Sequence, residues 1–303
     1  MRSEMLPELP LAEWKDTLAT LHMWSQIVGK IALVRTPLVN HFWNATLRVT
    51  PRGLITPPLL DASGSFSMEF DFIEHELLIQ CESGETRSVE LEPRSVADFY
   101  SAVMSALKEL NVTGKIWTMP VEVPDPIRFT EDNRHASYDR EYVERFRKIL
   151  VWTDGAFEQF RSRFVGKSSP VHFFWGSFDL AVTRFNGEKA PPREGADYIT
   201  REAYSHACIS HGFWCGGGPV QEPAFYGYAA PEPSGFKDVK PVPAEAFYHR
   251  ELNEFILPYD AVRRSLEPEA ALLDFMQSTY AAAADLANWK RDELERPGTA
   301  AAA

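Results

Sequence analysis

The chain has 303 residues, of which 45% are hydrophobic and 24% charged, and its formal net charge is -12. This length allows one large domain or two ordinary ones, and the composition excludes a disordered or fibrous protein. The acidic excess, without a basic cluster, argues against nucleic acid as a partner, and no apolar run is long enough to span a bilayer or serve as a signal peptide.

The cysteine content indicates a reducing compartment. Cys81, Cys208 and Cys215 are too few to form a disulfide framework. We therefore expect a soluble, cytoplasmic protein. Its partner is expected to be a small molecule, with no nucleic acid or membrane involved.

The amino-terminal part of the chain predicts a helix, several strands and a second helix. Residues 11–30 show a helical pattern of apolar positions. The segment FSMEFDF alternates apolar and polar residues, which predicts a half-buried strand, and ESGE offers a turn before the strand-like TRSVELE. Ser95 and Asp98 form a capping box at the start of the second helix, whose apolar residues keep the helical period.

Two stretches of the chain resemble each other. VGKIALVRTPLVNHFWNATLRVTPRG and VGKSSPVHFFWGSFDLAVTRFNG both run from V-G-K through a proline, His-Phe and Trp to L-x-V-T and a turn with glycine. Each follows a helical pattern, 11–30 in the first case and 140–164 in the second. Similar elements in the same order predict an internal duplication. Residues 1–122 and 123–303 would then be two pseudo-equivalent α+β halves, each arranged as helix, antiparallel sheet and helix.

The second half has an additional segment, residues 188–248, that the first half lacks. A long insertion without clear periodicity is usually functional or disordered. Tyrosine, phenylalanine and tryptophan are too dense in this one for disorder. We therefore expect inserted loops that pack over the second sheet or the seam between the halves and that carry function.

The segment SPVHFFWGSFDLAVTRFNG places two polar residues, His172 and Asp179, in a strand-like run. Its Trp-to-Leu spacing exceeds that of the first stretch by one residue, which predicts a β-bulge near Gly176-Ser177. A tight hairpin there would give the same faces, but Asn186-Gly187 is the stronger hairpin turn. Both arrangements put His172 and Asp179 on one face, opposite a wholly apolar core face.

His172, Asp179 and His206 are the candidate catalytic residues. His172 would act as a ligand or general base, Asp179 as its orienting or ligating carboxylate, and His206 as a second ligand or base. Imidazole with carboxylate also suits a divalent metal such as zinc, iron or manganese. We expect side-chain atoms of His172 and His206 to lie within about 8 Å of each other. The competing interpretation is a solvated sheet face without chemistry.

The string HACISHGFWC contains four residues of the types that bind zinc, namely His206, Cys208, His211 and Cys215. Their spacing is not that of a zinc ribbon or finger, in which paired ligands sit on opposed elements. A closed structural zinc site and an ordinary loop with incidental cysteines are both open interpretations.

Aromatic and acidic residues in and near the insertion are candidate ligand-binding residues. In QEPAFYGYAAPEP, Glu222, Tyr226 and Tyr228 share one face of a short strand. The tyrosines would either line a ligand pocket or form the wet-tipped edge of a core. Phe174 and Tyr204 complete the candidate set.

Several strings along the chain resemble a bacterial family, domain of unknown function 5996. They are LHMWSQIVGKI, NHFWNATLRVT, PRSVADFY, PVEVPDPI, SPVHFFWGSFDLAVTRF and EAYSH. The resemblance runs from about Leu11 to Trp289 and implies a single heritable unit, but it implies no reaction. It includes the YSH of residues 204–206 and does not include Cys208, His211 and Cys215, which favours His206 over its neighbours.

Together these patterns predict an enzyme that acts on a small polar molecule in a pocket between the two halves, where ligand sites are common. One alternative is a non-catalytic binding protein whose aromatic-lined pocket holds a small molecule. A second alternative is a structural interaction module, which would show an exposed apolar patch instead of a pocket.

Overall fold

The computed structural model describes residues 6–62 and 64–296, and these residues form an α+β protein with two six-stranded antiparallel sheets and seven α-helices. This confirms the predicted fold class. The described residues form two compact units. The amino-terminal unit contains residues 12–151 and 173–178, and the carboxy-terminal unit contains residues 6–11, 152–172 and 179–296.

The amino-terminal unit has one sheet, with strand order β1-β2-β4-β5-β6 and β3 paired to β4. In chain order its elements are α1 (Leu11–Leu33), a 3-10 helix (Trp43–Ala45), β1 (Arg48–Val49), β2 (Gly53–Ile55), β3 (Leu59–Asp61), β4 (Gly64–Asp71), β5 (Glu76–Cys81), β6 (Thr86–Glu90) and α2 (Val96–Glu109). The helix α3 (Arg140–Ser162) belongs to this unit as far as residue 151.

Local sequence signals in the amino-terminal unit are confirmed. The alternating strand is β4, whose apolar residues Phe66, Met68 and Phe70 are buried. The side chain of Ser95 accepts a hydrogen bond of 3.0 Å from the backbone N–H of Asp98 and so caps α2. These two elements could be predicted because their signals are local: the alternation of apolar residues along β4 and the capping residue of α2.

The carboxy-terminal unit has the second sheet, with strand order β11-β12-β10-β9-β8-β7. Its first strand after α3 is β7 (His172–Phe174), of which only His172 belongs to this unit. The elements that follow are β8 (Asp179–Lys189), α4 (Tyr198–Ala203), β9 (His206–Trp214), β10 (Ala224–Ala230), a 3-10 helix (Phe236–Asp238), β11 (Phe247–His249), β12 (Glu254–Pro258), α5 (Tyr259–Arg263), α6 (Pro268–Leu286) and α7 (Arg291–Leu294).

One face of the second sheet packs against helices. The ring of His211 on β9 lies 5.0 Å from that of Phe160 on α3, and its Nε2 hydrogen bonds to Thr279 on α6. Because successive side chains of a strand point to opposite faces, the neighbouring positions Ser210 and Gly212 belong to the other face. That second face, which also carries Tyr226 and Tyr228 of β10, is called the tyrosine face below.

The prediction that residues 188–248 form loops packed over the sheet is wrong. This segment contributes β9 and β10, which lie in the middle of the strand order. Side chains from Cys208 to Phe213 on β9 are buried on both faces of the sheet. A strand that is buried on both faces lacks the polar alternation by which a half-buried strand is recognised.

The turn lies where the bulge was predicted, at Gly176-Ser177, and the bulge lies where the hairpin turn was predicted, at Asn186-Gly187. Gly176-Ser177 lies in the turn between β7 and β8, and this turn includes Phe178 with a positive φ of 57°. In contrast, β8 continues through Asn186-Gly187, where its pairing with β9 shifts register between Phe185 and Lys189. The left-handed backbone that this irregularity requires is supplied by Gly187, with φ 88°.

The two similar stretches adopt different local structures. Trp43 begins a 3-10 helix and follows Phe42, which has a positive φ of 67°. The matching residues in the second stretch, His172–Phe174, form strand β7. The internal duplication, with halves 1–122 and 123–303, therefore stays a prediction. None of the helices described is both long enough and apolar enough to cross a membrane.

Candidate functional site

Five polar side chains come together on or over the tyrosine face, and they are called the tyrosine–carboxylate cluster. They are Asp179 at the start of β8, Tyr204 after α4, Tyr226 and Tyr228 on β10, and Glu254 at the start of β12. Four of them are among the residues predicted from the sequence, and Glu254 is new.

Tyr226 and Asp179 form the hydrogen bond at the centre of the cluster. The Tyr226 hydroxyl donates to Oδ2 of Asp179 over 2.5 Å, although a whole strand, β9, lies between their own strands. The ring can cross β9 because its partner there is Gly212. A Cβ at Gly212 would lie 2.2 Å from Cζ of Tyr226. The glycine in SHGFW is therefore the local reason that the tyrosine reaches the carboxylate.

Tyr228 continues the row of hydroxyl groups. Its hydroxyl accepts a hydrogen bond of 3.3 Å from Tyr204, and its ring stacks on Tyr226 with 6.0 Å between centroids. Tyr228 pairs with Ser210 of β9, whose Oγ lies 2.9 Å from Oγ1 of Thr183 on β8. Polar hydroxyls thus extend across three adjacent strands of the sheet.

The pKa values of the cluster divide its residues into tyrosines that stay protonated and a glutamic acid that titrates near neutral pH. Burial, helped by the negative charge of Asp179, raises the pKa of Glu254 to about 7. Burial also raises the pKa of the Tyr226 and Tyr228 phenols well above the ordinary value. At neutral pH both phenols therefore remain protonated donors, while Glu254 is divided between its acid and its base form.

Glu254 was missed because its role depends on strand pairing. Ile256 of β12 pairs with Tyr226, so Ile256 and Glu254, two residues earlier, lie on the tyrosine face. Gly227 pairs with Phe255, which places Glu254 beside Tyr228 at the next position of the ladder. The run FIL after Glu254 is buried throughout, so the sequence has no alternation from which the face of Glu254 could be predicted.

The structure does not bring His206 together with Asp179. His206 is exposed and begins β9, with Nδ1 3.0 Å from Oγ of Ser205. Asp179 pairs with Trp214, at the other end of β9. Eight residues of strand separate the two positions, or about 26 Å at 3.3 Å per residue. The predicted site that shares Asp179 and His206 is therefore wrong.

Three further candidate residues lie outside the cluster. His172 on β7 is 1% exposed, and its predicted role as a base or ligand stays a prediction. Phe174 stacks on His41 within the amino-terminal unit, with 5.6 Å between ring centroids. Glu222 is exposed before β10. The ring of Phe174 therefore serves in packing, because it stacks on the flat ring of His41.

The structure also contradicts the metal sites considered from the sequence. Cys208 and His211 are three residues apart on a strand and so point to opposite faces. Thr279 Oγ1 donates to the Phe275 carbonyl, so Nε2 of His211 carries the proton and donates to Thr279. Within residues 6–62 and 64–296, no three His, Cys, Asp or Glu side chains are grouped as metal ligands. The predicted set of His172, Asp179 and His206 is not formed.

Two cavities are lined by other residues. One, of about 550 Å³, lies in the amino-terminal unit beside Arg35 and Asp61, which approach each other to 3.7 Å. The other, of about 200 Å³, lies in the carboxy-terminal unit beside Cys208 and Trp289. Burial raises the pKa of Cys208 to about 12, so this thiol is neutral and a poor nucleophile.

Comparison with known proteins identifies a family. The model of a family of unknown function, DUF5996, matches residues 6–296, and the chain belongs to this family. No curated protein and no solved structure matches the chain. Membership of this family implies no activity.

Proposed function

We propose that the chain is an enzyme that acts on a small polar molecule at the tyrosine–carboxylate cluster by general acid–base catalysis. The observation that supports this most is the carboxyl group of Glu254, whose pKa of about 7 lies at neutral pH. A group with such a pKa is present both as acid and as base, which is the condition under which proton transfer is most efficient.

Each residue of the cluster has a defined role in this proposal. Glu254 takes a proton from the substrate or returns one to it. Tyr228 donates a hydrogen bond to a substrate oxygen or nitrogen atom. The Tyr226 hydroxyl, whose proton is donated to Asp179, accepts a hydrogen bond from a substrate hydroxyl or amine. Asp179 orients Tyr226 through the bond of 2.5 Å, because a fixed hydroxyl positions a substrate better than a rotating one.

The charges favour a neutral or cationic substrate over an anion. The half-buried and buried charges of the cluster, Glu254 and Asp179, are negative. In the part of the chain that the structure describes, the cation in contact with the cluster is Arg193, which is exposed and lies over the ring of Tyr204 at 3.9 Å. An exposed cation is screened by solvent, so hydroxylated or amine-bearing molecules are preferred to phosphates and carboxylates.

The alternative is a binding protein that does not turn its ligand over. The three phenols support it, because their raised pKa prevents proton transfer at neutral pH. Tyr228 stacks on Tyr226 and meets Tyr204 edge to face, and these rings also provide a platform on which a ligand can pack.

A ligand panel tests the proposal. Glycerol, glucose, ethanolamine and glycerol 3-phosphate are each added to the whole chain, and the melting temperature and the chemical fate of each compound are followed. We expect stabilisation by a hydroxylated or amine-bearing compound but not by the phosphate ester. We also expect conversion of that compound, with a rate that titrates near pH 7.

Two variants complete the test. Glu254→Gln should retain binding and lose conversion, whereas the exposed Glu251→Gln should change neither. Binding without conversion in the wild-type chain would support the binding protein instead. Stabilisation by the phosphate ester alone, or binding that Tyr226→Phe and Tyr228→Phe leave unchanged, would contradict a site at the cluster.

A further inference from the structure

A buried lysine of the amino-terminal unit has no acidic partner. Lys30, in the last turns of α1, is 4% exposed. Its Nζ lies 4.7 Å from the ring centroid of Trp117 and 5.9 Å from that of Trp175. Among residues 6–62 and 64–296, no carboxylate forms an ion pair with this amine and no group accepts a hydrogen bond from it. A buried ammonium without such partners is costly.

One wall of the Lys30 environment is fixed. The indole N–H of Trp175 donates a hydrogen bond of 2.9 Å to the carbonyl of Ala45. The ring lies directly against α1 at Gly29, where a Cβ would be 2.3 Å from Cδ2 of Trp175. The other wall, Trp117, is 63% exposed. Trp117 therefore lies at the surface, with the amine against its ring.

The amine is nucleophilic near neutral pH. Burial lowers the pKa of Lys30 to about 8, and no charged side chain contributes to the shift. An ordinary lysine has a pKa near 10.4, so at pH 7 the uncharged fraction at Lys30 is roughly 200-fold larger. The carboxyl-terminal end of α1 favours the charged form, but desolvation outweighs this effect.

We propose that Lys30 is a nucleophilic site that condenses with a small aldehyde or ketone held between Trp117 and Trp175. The uncharged Nζ attacks the carbonyl carbon, a carbon–nitrogen double bond forms, and the carbonyl oxygen leaves as water with the two amine protons. The imine can be protonated again, so its positive charge replaces that of the ammonium between the two indole rings. This site lies outside the tyrosine–carboxylate cluster and does not depend on its proposed function.

Reductive trapping tests the proposal, with Lys167 as a matched control. Lys167 follows the same Val-Gly dipeptide as Lys30, in VGK at residues 165–167, but it is exposed. The whole folded chain is treated at pH 7 with limiting propanal and cyanoborohydride, and each lysine is scored by peptide mass spectrometry. We expect Lys30 to be alkylated at least tenfold faster than Lys167, with a half-maximal rate near pH 8.

Two controls separate chemistry from folding. In denaturant the two lysines should react at similar rates, because the preference comes from the folded environment. Lys30→Met, which keeps the length of the side chain and removes the amine, should retain the fold and the labelling of Lys167. If Lys30 in the folded chain is unlabelled, or is labelled no faster than Lys167, the proposal is wrong.

Discussion

At the scale of single residues, Glu254 is expected to destabilise the fold when it is charged. Its pKa is about 7 in the folded chain and about 4.5 in the unfolded one, so the folded state binds the proton more tightly. The cost of ionisation is absent below pH 4.5 and complete above pH 7, where it amounts to roughly 3 kcal/mol at most. Glu254→Gln should therefore raise the free energy of unfolding at pH 8 and leave it nearly unchanged at pH 4.5.

Urea denaturation at both pH values measures this difference. The control is Glu251→Gln, which removes an exposed carboxylate three residues earlier in the chain and should change stability little at either pH. Equal effects of the two variants would show that Glu254 is not desolvated in the folded chain.

Tyr226→Phe tests the bond on which the site geometry depends. Asp179 is 8% exposed and accepts the hydrogen bond from Tyr226. Removal of a donor to a buried charge should lower the free energy of unfolding by about 2 kcal/mol. Tyr100→Phe is the control, because the hydroxyl of this half-buried tyrosine forms no hydrogen bond with any residue that the structure describes. A loss below 0.5 kcal/mol in chemical denaturation (roughly the effect of a surface substitution) would mean that Asp179 does not depend on Tyr226.

At the scale of elements, Gly212 of β9 allows the hydrogen bond between Tyr226 of β10 and Asp179 of β8. Gly212→Ala places a Cβ within 2.2 Å of the Tyr226 ring, so the ring must move away from Asp179. We expect a loss of about 1–3 kcal/mol in the free energy of unfolding and a loss of ligand stabilisation. Gly155→Ala in α3 is the opposite case: nothing lies within 4 Å of its added Cβ, so about 0.5–1 kcal/mol should be gained. Equal losses in both variants would contradict a specific role for Gly212.

The elements differ in how far the sequence predicts them. The strand β4 and the capped helix α2 have local signals, period-two burial and a Ser95 cap, and both are confirmed. The strand β9 has no such signal, because it is central and buried on both faces. For the same reason the site was predicted only in part. Alternation places Tyr226 and Tyr228 on one face, but only the pairing of three strands brings Asp179 to them.

At the scale of the whole molecule, three neutral histidines oppose protonation of the folded state. Burial lowers the pKa of His22 to about 4, of His41 to about 4 and of His211 to about 3. In the unfolded chain each has a pKa near 6.5 and takes up a proton in acid. Their contribution to stability is therefore complete above pH 6.5 and is lost as the pH falls toward 4.

Glu254 acts in the opposite direction over the same pH range, because between about pH 4.5 and pH 7 the folded state keeps the proton of this carboxyl group and the unfolded state loses it. For these four groups near pH 5.5, the unfolded chain thus binds about three protons that the folded chain does not, and the folded chain binds about one that the unfolded chain does not. His75, whose pKa is also lowered by burial, acts in the same direction as the three histidines. The net difference of about two protons predicts that stability falls by roughly 2–3 kcal/mol per pH unit on acidification. Urea denaturation between pH 7.5 and 4.5 should show this slope.

His211→Gln should reduce the slope by about one proton, and His206→Gln, at an exposed position, should leave it unchanged. Stability that is constant or rises toward pH 4.5 would mean that the histidines are not held neutral by the fold.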